Sequence, residues 1–294
     1  MKKQSLLAML GMGMIALGCT FGTGTPTTQP QVDEVGTIVA ATMQALTAAP
    51  SDSLSTQVPT QTTGFPVSYG NVSFVIPDGL ASAANTETMT AVESNSGAPW
   101  DIGPTHLRFT LTGYPVQGKF HEPRIFVYPA DEYAQVNSTA AEQIDRVKKI
   151  LAGFALMKET LPGVPWFNAE SLIAANIQVV PFQSGSGVRT LTQYAQYAAP
   201  INNRELFYHF AGLTGDNKYH IIAILPLTAP ILPEDEKPEA SVPEGGVAIP
   251  AGIGPNSVYY ISVTQRLNSV PPEAYTPSLT LLDSLIQSIL VTNP

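Results

Sequence analysis

From residue 65 onward, apolar positions follow two periods that predict a run of strands, a helix, more strands and a closing helix. Val67 to Tyr69 and Val72 to Ile76 are short strands flanking Gly70-Asn71, a tight turn. His106 to Thr112 alternates, with Leu107, Phe109 and Leu111 on one face, and Arg124 to Tyr128 is a further strand ended by Pro129. The period then lengthens. Ala140, Ile144, Val147, Leu151 and Phe154 form one helical stripe, and Thr139 with Glu142 makes a capping-box pattern at its start. Ala169 to Ala174 is a second short helix. Strands follow at about Asn176 to Phe182, Val188 to Gln196, Glu205 to Gly212, Tyr219 to Leu225 and Val258 to Thr264. Gly215-Asp216 marks a hairpin between the third and fourth of these. A last helix starts at Thr276 with Pro277 in its first position, and Leu279, Leu282, Ile286 and Ile289 form its stripe.

This order predicts an α+β fold: a mostly antiparallel sheet covered by helices, in a single domain over 65–294 with no internal repeat. One long connection interrupts it. Residues 226–256 carry Pro226, Pro230, Pro233, Pro238, Pro243, Pro250 and Pro255 among Glu234, Asp235, Glu236, Glu239 and Glu244. A loop of this length inside a domain is a solvated surface insertion or a binding loop.

Ahead of the domain the pattern changes twice. Lys2 and Lys3 precede an apolar run from Leu6 to Leu17, then small Gly18 and Cys19. A basic start, a short apolar stretch and a small residue before a cut make a secretory signal over 1–18. The run is shorter than the about 20 residues a bilayer-spanning helix needs. Residues 19–64 are rich in Pro, Thr and Gln, a linker composition, interrupted at 32–48 by Val32, Val35, Val39, Met43 and Leu46 at helical spacing. That short stripe packs on the domain, on a membrane or on another copy; the absence of Lys and Arg from it argues against the membrane surface.

Ala16-Leu17-Gly18-Cys19 resembles the lipobox of bacterial lipoproteins, departing from it at Ala16, where that pattern usually has Leu. The resemblance implies a thioether-linked diacylglycerol on Cys19 and a further acyl chain, such as palmitate, on its amine. Two or three chains anchor firmly where one binds only marginally. It places the domain on the extracytoplasmic side of a cell membrane or outer membrane. Cys19 is the only cysteine, so once it is lipidated the domain has no thiol nucleophile, thiolate metal site or disulfide.

The order of elements is also similar to the PsbP-type fold. That fold has Tyr-x-x-x-x-Phe-x-x-Pro near its start, here Tyr69, Phe74 and Pro77. Its closing helix has Leu-Asp-x-x-Ile-x-Ser, here Leu282, Asp283, Ile286 and Ser288 with Leu285 between Ser284 and Ile286. The Trp usual after the Pro-x-Gly turn is absent, and Leu80 stands near its place. Phe182 to Pro226 resembles segments of uncharacterised bacterial lipoproteins. Neither likeness implies an activity.

Charge narrows the partners. The chain has 14 Lys plus Arg against 23 Asp plus Glu, a formal charge of −9. That balance opposes nucleic acid, whose phosphates need basic contacts, and it opposes docking on anionic lipid. It favours solubility through mutual repulsion.

Candidate chemistry is sparse. With Thr214 opposite Asn217 in the hairpin, His209 faces Ile222 and Ala211 faces His220. The two histidines are then diagonal neighbours on the face to which Glu205 points. These three are the candidate metal or acid–base set; histidines bonded to backbone beneath a helix are the alternative. His106 and His121 have no partner at ligand spacing. Gly185-Ser186-Gly187 lacks the full nucleophile elbow and reads as a turn. Calcium loops, phosphate-binding glycine loops and His-Glu-x-x-His are absent. Trp100, Trp166 and the tyrosines are residues of a ligand cleft or of the core. No cofactor is expected. The leading expectation is a surface-anchored lipoprotein whose non-enzymatic domain binds or scaffolds an envelope protein partner. The alternative is an envelope hydrolase or metal-dependent enzyme using His209 and His220. A solute-binding protein fits less well, since one domain lacks the two-lobe pattern.

Overall fold

The computed structural model describes residues 63–93, 98, 100–237, 239–254 and 257–293. The signal expected at 1–18, Cys19, and the linker and helix expected at 19–64 and 32–48 lie outside the described residues, apart from residues 63 and 64.

The described residues form an α+β domain around a seven-stranded antiparallel sheet. Its members are β3 (Ala83–Met89), β4 (His106–Thr112), β5 (Arg124–Pro129), β7 (Ala175–Phe182), β8 (Gly185–Thr192), β10 (Phe207–Thr214) and β11 (Tyr219–Pro226). They are ordered β3-β4-β5-β11-β10-β8-β7. A smaller sheet joins β1 (Gly64–Tyr69), β2 (Val72–Pro77) and β12 (Leu290–Val291), and β6 (Glu170–Ser171) pairs with β9 (Tyr194–Ala195).

The helices are α1 (Ala130–Val136), α2 (Ser138–Leu151), α3 (Val258–Ser269) and α4 (Leu279–Gln287). They sort to the two faces of the large sheet. Ile125, Val127, Tyr208, Phe210, Ile221, Ala223 and Leu225 point to one face, in a core shared with the β1–β2 hairpin, α3 and α4. Alternate residues point to the other, where Tyr133 of α1 and Ala140, Ile144 and Val147 of α2 cover Phe126, Tyr128, Phe207, Ala211, Leu213, Ile222 and Ile224. Covered on both sides, β10 is buried along its whole length. Gly187 and Gly212 sit opposite each other on β8 and β10, and a Cβ at either would lie 2.5 to 2.7 Å from the Phe210 ring.

Several elements depart from the pattern-based expectation. Residues 258–264 belong to a helix: the run Val258-Tyr-Tyr-Ile has β-type composition, but Tyr259, Tyr260, Val263 and Leu267 bury at helical spacing, and the Ser257 side chain accepts from Tyr259 N. A short apolar run carries either period. Residues 170–171 form β6, paired to β9, in place of a helix at 169–174. The cap of α2 is Asn137, whose Oδ1 accepts from Ala140 N at 3.0 Å, while Glu142 pairs with Arg146; Thr139 and Glu142 make no capping box. Gly153, at φ 95°, ends this helix, so Ile150 closes the buried stripe and Leu151 and Phe154 are exposed. The last helix is capped by Ser278, which accepts from Leu281 N, leaving Thr276 and Pro277 ahead of it. Gly185-Ser186-Gly187 opens β8, and the turn is Gln183-Ser184. Helix α1 and strand β3 were not expected; β3 reads Ala-Ala-Asn-Thr-Glu-Thr-Met, an edge strand with no apolar alternation.

The start of the Pro-rich connection is seated on the domain. Asn203 Nδ2 donates to the carbonyls of Ala229 and Leu232, its Oδ1 accepts from Ala229 N, and Leu227, Ala229 and Leu232 are buried.

Candidate functional site

The hairpin register differs from the expected one by two residues. His209 pairs with Ile224, Ala211 with Ile222 and Leu213 with His220. The loop is four residues long: Asp216 Oδ1 accepts from the Thr214 hydroxyl and from Lys218 N, and the Thr214 hydroxyl oxygen accepts from Tyr219 N. Asn217, at φ 60°, turns the chain. A shift of two preserves the face, so both histidines lie under α1 and α2. It separates them along the sheet, because His220 stands opposite a residue four places beyond His209, about 13 Å along the strand.

Both rings are buried. His220 Nδ1 donates to the Gly212 carbonyl at 2.9 Å, and both Nε2 atoms are buried without a hydrogen-bond partner among the described residues. Burial holds His209 down to about 3, with His220 adding a smaller push, and holds His220 down to about 4. Glu205 lies ahead of β10, and its carboxylate accepts from Gln193 Nε2 at 3.0 Å; burial and then the Glu236 charge raise its pKa. Among the described residues no three His, Cys, Asp or Glu side chains gather as a metal-holding group, so His209, His220 and Glu205 are not brought together as one.

An aromatic layer, not foreseen, gathers the other histidines. His121 stacks on Phe167 at 5.1 Å and meets Phe207 edge-on at 4.6 Å, while His209 lies 6.3 Å from the Phe207 ring centre. Burial holds His121 down to about 4. His106 stacks on Tyr128 at 4.1 Å, Tyr128 stacks on Tyr133, and Trp166 packs on Phe126. The pieces come from separate parts of the chain, so no local spacing announces them. Trp166 therefore belongs to this layer, whereas Trp100 is exposed.

Two open clefts flank it. The larger, about 650 Å³, runs between residues 167–172 and 195–198, with Lys158 and Glu170 on its rim and Tyr197 alongside, bonded to Glu236 at 2.7 Å. The second, about 620 Å³, lies beside the Val92–Gly103 bridge, with Glu93 and Glu132 in its wall. Neither wall contains a histidine, a cysteine or an arginine.

Compared with known proteins, the chain matches no family model, no curated protein and no solved structure.

Proposed function

We propose that the chain is an exported lipoprotein, anchored through acyl chains on Cys19, that displays its α+β domain at the surface of a cell membrane or outer membrane as a binding or scaffolding module for an envelope protein. The observation that carries this is the order Lys2-Lys3, apolar Leu6 to Leu17, then Ala16-Leu17-Gly18-Cys19, with no second cysteine in the chain. No helix among the described residues is long and apolar enough to cross a membrane, which suits attachment by lipid. Binding is favoured over turnover because the histidines offered as a catalytic pair sit beneath helices, beyond substrate reach. Both clefts are open, and the first carries Lys158 and Glu170 on its rim, which suits a surface contact.

Metabolic labelling with a radioactive fatty acid tests the anchor. Wild type should label and sediment with membranes, whereas Cys19→Ala should lose the label and accumulate as precursor or released protein. Equal retention and equal labelling of both would overturn the reading.

A further inference from the structure

Four of the twelve large apolar side chains exposed among the described residues lie within one short stretch of chain. Leu151, Phe154, Leu156 and Met157 are 38, 62, 38 and 53% exposed, at the last residue of α2 and just beyond it, and every residue from 151 to 159 is exposed. The backbone there is firmly held. Gly153 N and Phe154 N donate to the carbonyls of Ile150 and Lys149. Arg146 reaches back from α2 to the carbonyls of Glu159 and Leu161, and the Thr160 hydroxyl donates to Ala155 and Met157 carbonyls. A loop pinned at its backbone while its largest apolar side chains face solvent has the form of an insertion tip.

The charge around the tip says what it meets. Arg146, Lys148, Lys149 and Lys158 are four of only 14 basic residues in a chain of net charge −9. Lys148 and Lys149 precede the apolar stretch and are exposed; Lys158 follows it, and its ammonium donates to the Leu172 carbonyl at 2.9 Å. The nearby acids Glu142 and Asp145 lie one turn back along α2 and pair with Arg146 and Lys149, leaving Glu159 beside Lys158. Apolar side chains flanked by the long ammonium arms of Lys148 and Lys149 match a bilayer surface, where hydrocarbon takes the former and lipid phosphates the latter.

We propose that the Leu151–Met157 loop inserts into the bilayer surface and orients the domain on the membrane. This rests on the lipoprotein reading: Cys19 and Thr63 are 44 residues apart, a reach of at most about 150 Å, so the lipid sets distance and the tip sets orientation. The chain's overall negative charge then repels the remaining faces from anionic lipid.

The test uses the full chain carrying Cys19→Ser, which has no acylation site, with vesicles of phosphatidylethanolamine and phosphatidylglycerol. It should partition onto them, and adding Phe154→Trp should give a new blue-shifted emission quenched by brominated lipid. Phe154→Asp with Met157→Asp should weaken partition at least about tenfold, the loss of 1.4 kcal/mol or more, with the melting temperature unchanged. Lys148→Gln with Lys149→Gln should weaken it only when phosphatidylglycerol is present. No partition of the Cys19→Ser chain, or partition indifferent to the aspartates, overturns the proposal. So does a concentration-dependent dimer abolished by the aspartates without vesicle binding, which would make a second copy the occupant. Acyl labelling of wild type, run in parallel, separates the two readings: a labelled wild type beside a non-binding Cys19→Ser chain refutes the tip alone.

Discussion

Arg189 on β8 and Asp283 on α4 meet at 2.9 Å inside the domain, and the other carboxylate oxygen accepts from the Tyr208 hydroxyl at 2.9 Å. Arg189 also donates to Gln178 Oε1, while its Nε is buried without a partner among the described residues. Burial raises the Asp283 carboxyl above its usual range despite the opposing pull of Arg189. Desolvation therefore offsets much of what the pair contributes. Removing one partner is a different matter: Asp283→Ala leaves a buried guanidinium uncompensated and should cost about 3–5 kcal/mol in urea denaturation. Arg189→Met with Asp283→Leu, which removes both charges, should cost less than Asp283→Ala. A double variant as unstable as the sum of the singles would show that the two side chains act independently.

Stability should fall as the solution is acidified through the histidine range. His209 and His220 are held at about 3 and about 4, below the usual 6.5, by burial. Between those values the unfolded chain binds protons that the folded chain refuses, so unfolding becomes easier as pH drops from about 6.5 toward 4. At about pH 5 each histidine accounts for about 2 kcal/mol of lost stability relative to neutral pH. In His209→Leu with His220→Leu, that loss should shrink by about 4 kcal/mol, with His121, at about 4, keeping a residual slope. Denaturation midpoints at the two pH values check this; an unchanged pH dependence would mean the two rings titrate alike in the folded and unfolded chain.

Asn203 should matter more to the Pro-rich connection than any of its acids. Asn203→Ala strands Ala229 N and the carbonyls of Ala229 and Leu232 in a buried setting and should cost about 3 kcal/mol. Glu239→Gln and Glu244→Gln, both exposed, should stay within about 0.5 kcal/mol of wild type. A neutral Asn203→Ala in calorimetry would show that the segment does not depend on this clasp.

The domain should fold without residues 1–63. The β1–β2 pairing begins at Gly64, and the buried core of the described residues is complete from Val67 onward. Residues 64–294 produced alone should therefore melt in one cooperative transition. A broad, non-cooperative melt, recovered on adding residues 19–63, would make the 32–48 segment part of the core.

Elements defined by a long or clean period were legible. The stripe Leu279, Leu282, Ile286, Ile289 is fully buried, Leu107, Phe109 and Leu111 share a face of β4, and Gly70-Asn71 is the β1–β2 turn. Elements defined by what packs on them were not. Helix α3 carries a β-type composition and is helical because α3 lies against the sheet with Tyr259, Tyr260, Val263 and Leu267 inward. Strand β3 has no apolar alternation and exists because β4 offers it a free edge to pair with. For the histidines, parity along the strand gave the shared face, but loop length sets the register, and an Asx bond at Asp216 chose four residues over two.

The sequence by itself determined the location of the charges, the lone cysteine behind its apolar run, and the α+β class of the domain, because composition and periodicity are local properties of the chain. Only the tertiary structure decided that α1 and α2 bury His209 and His220, that His121, Phe167 and Phe207 meet, and that Leu151 to Met157 stand out in solvent. Each of these depends on which surfaces residues far apart in the chain cover or leave open, and burial of that kind is a property of the packed whole.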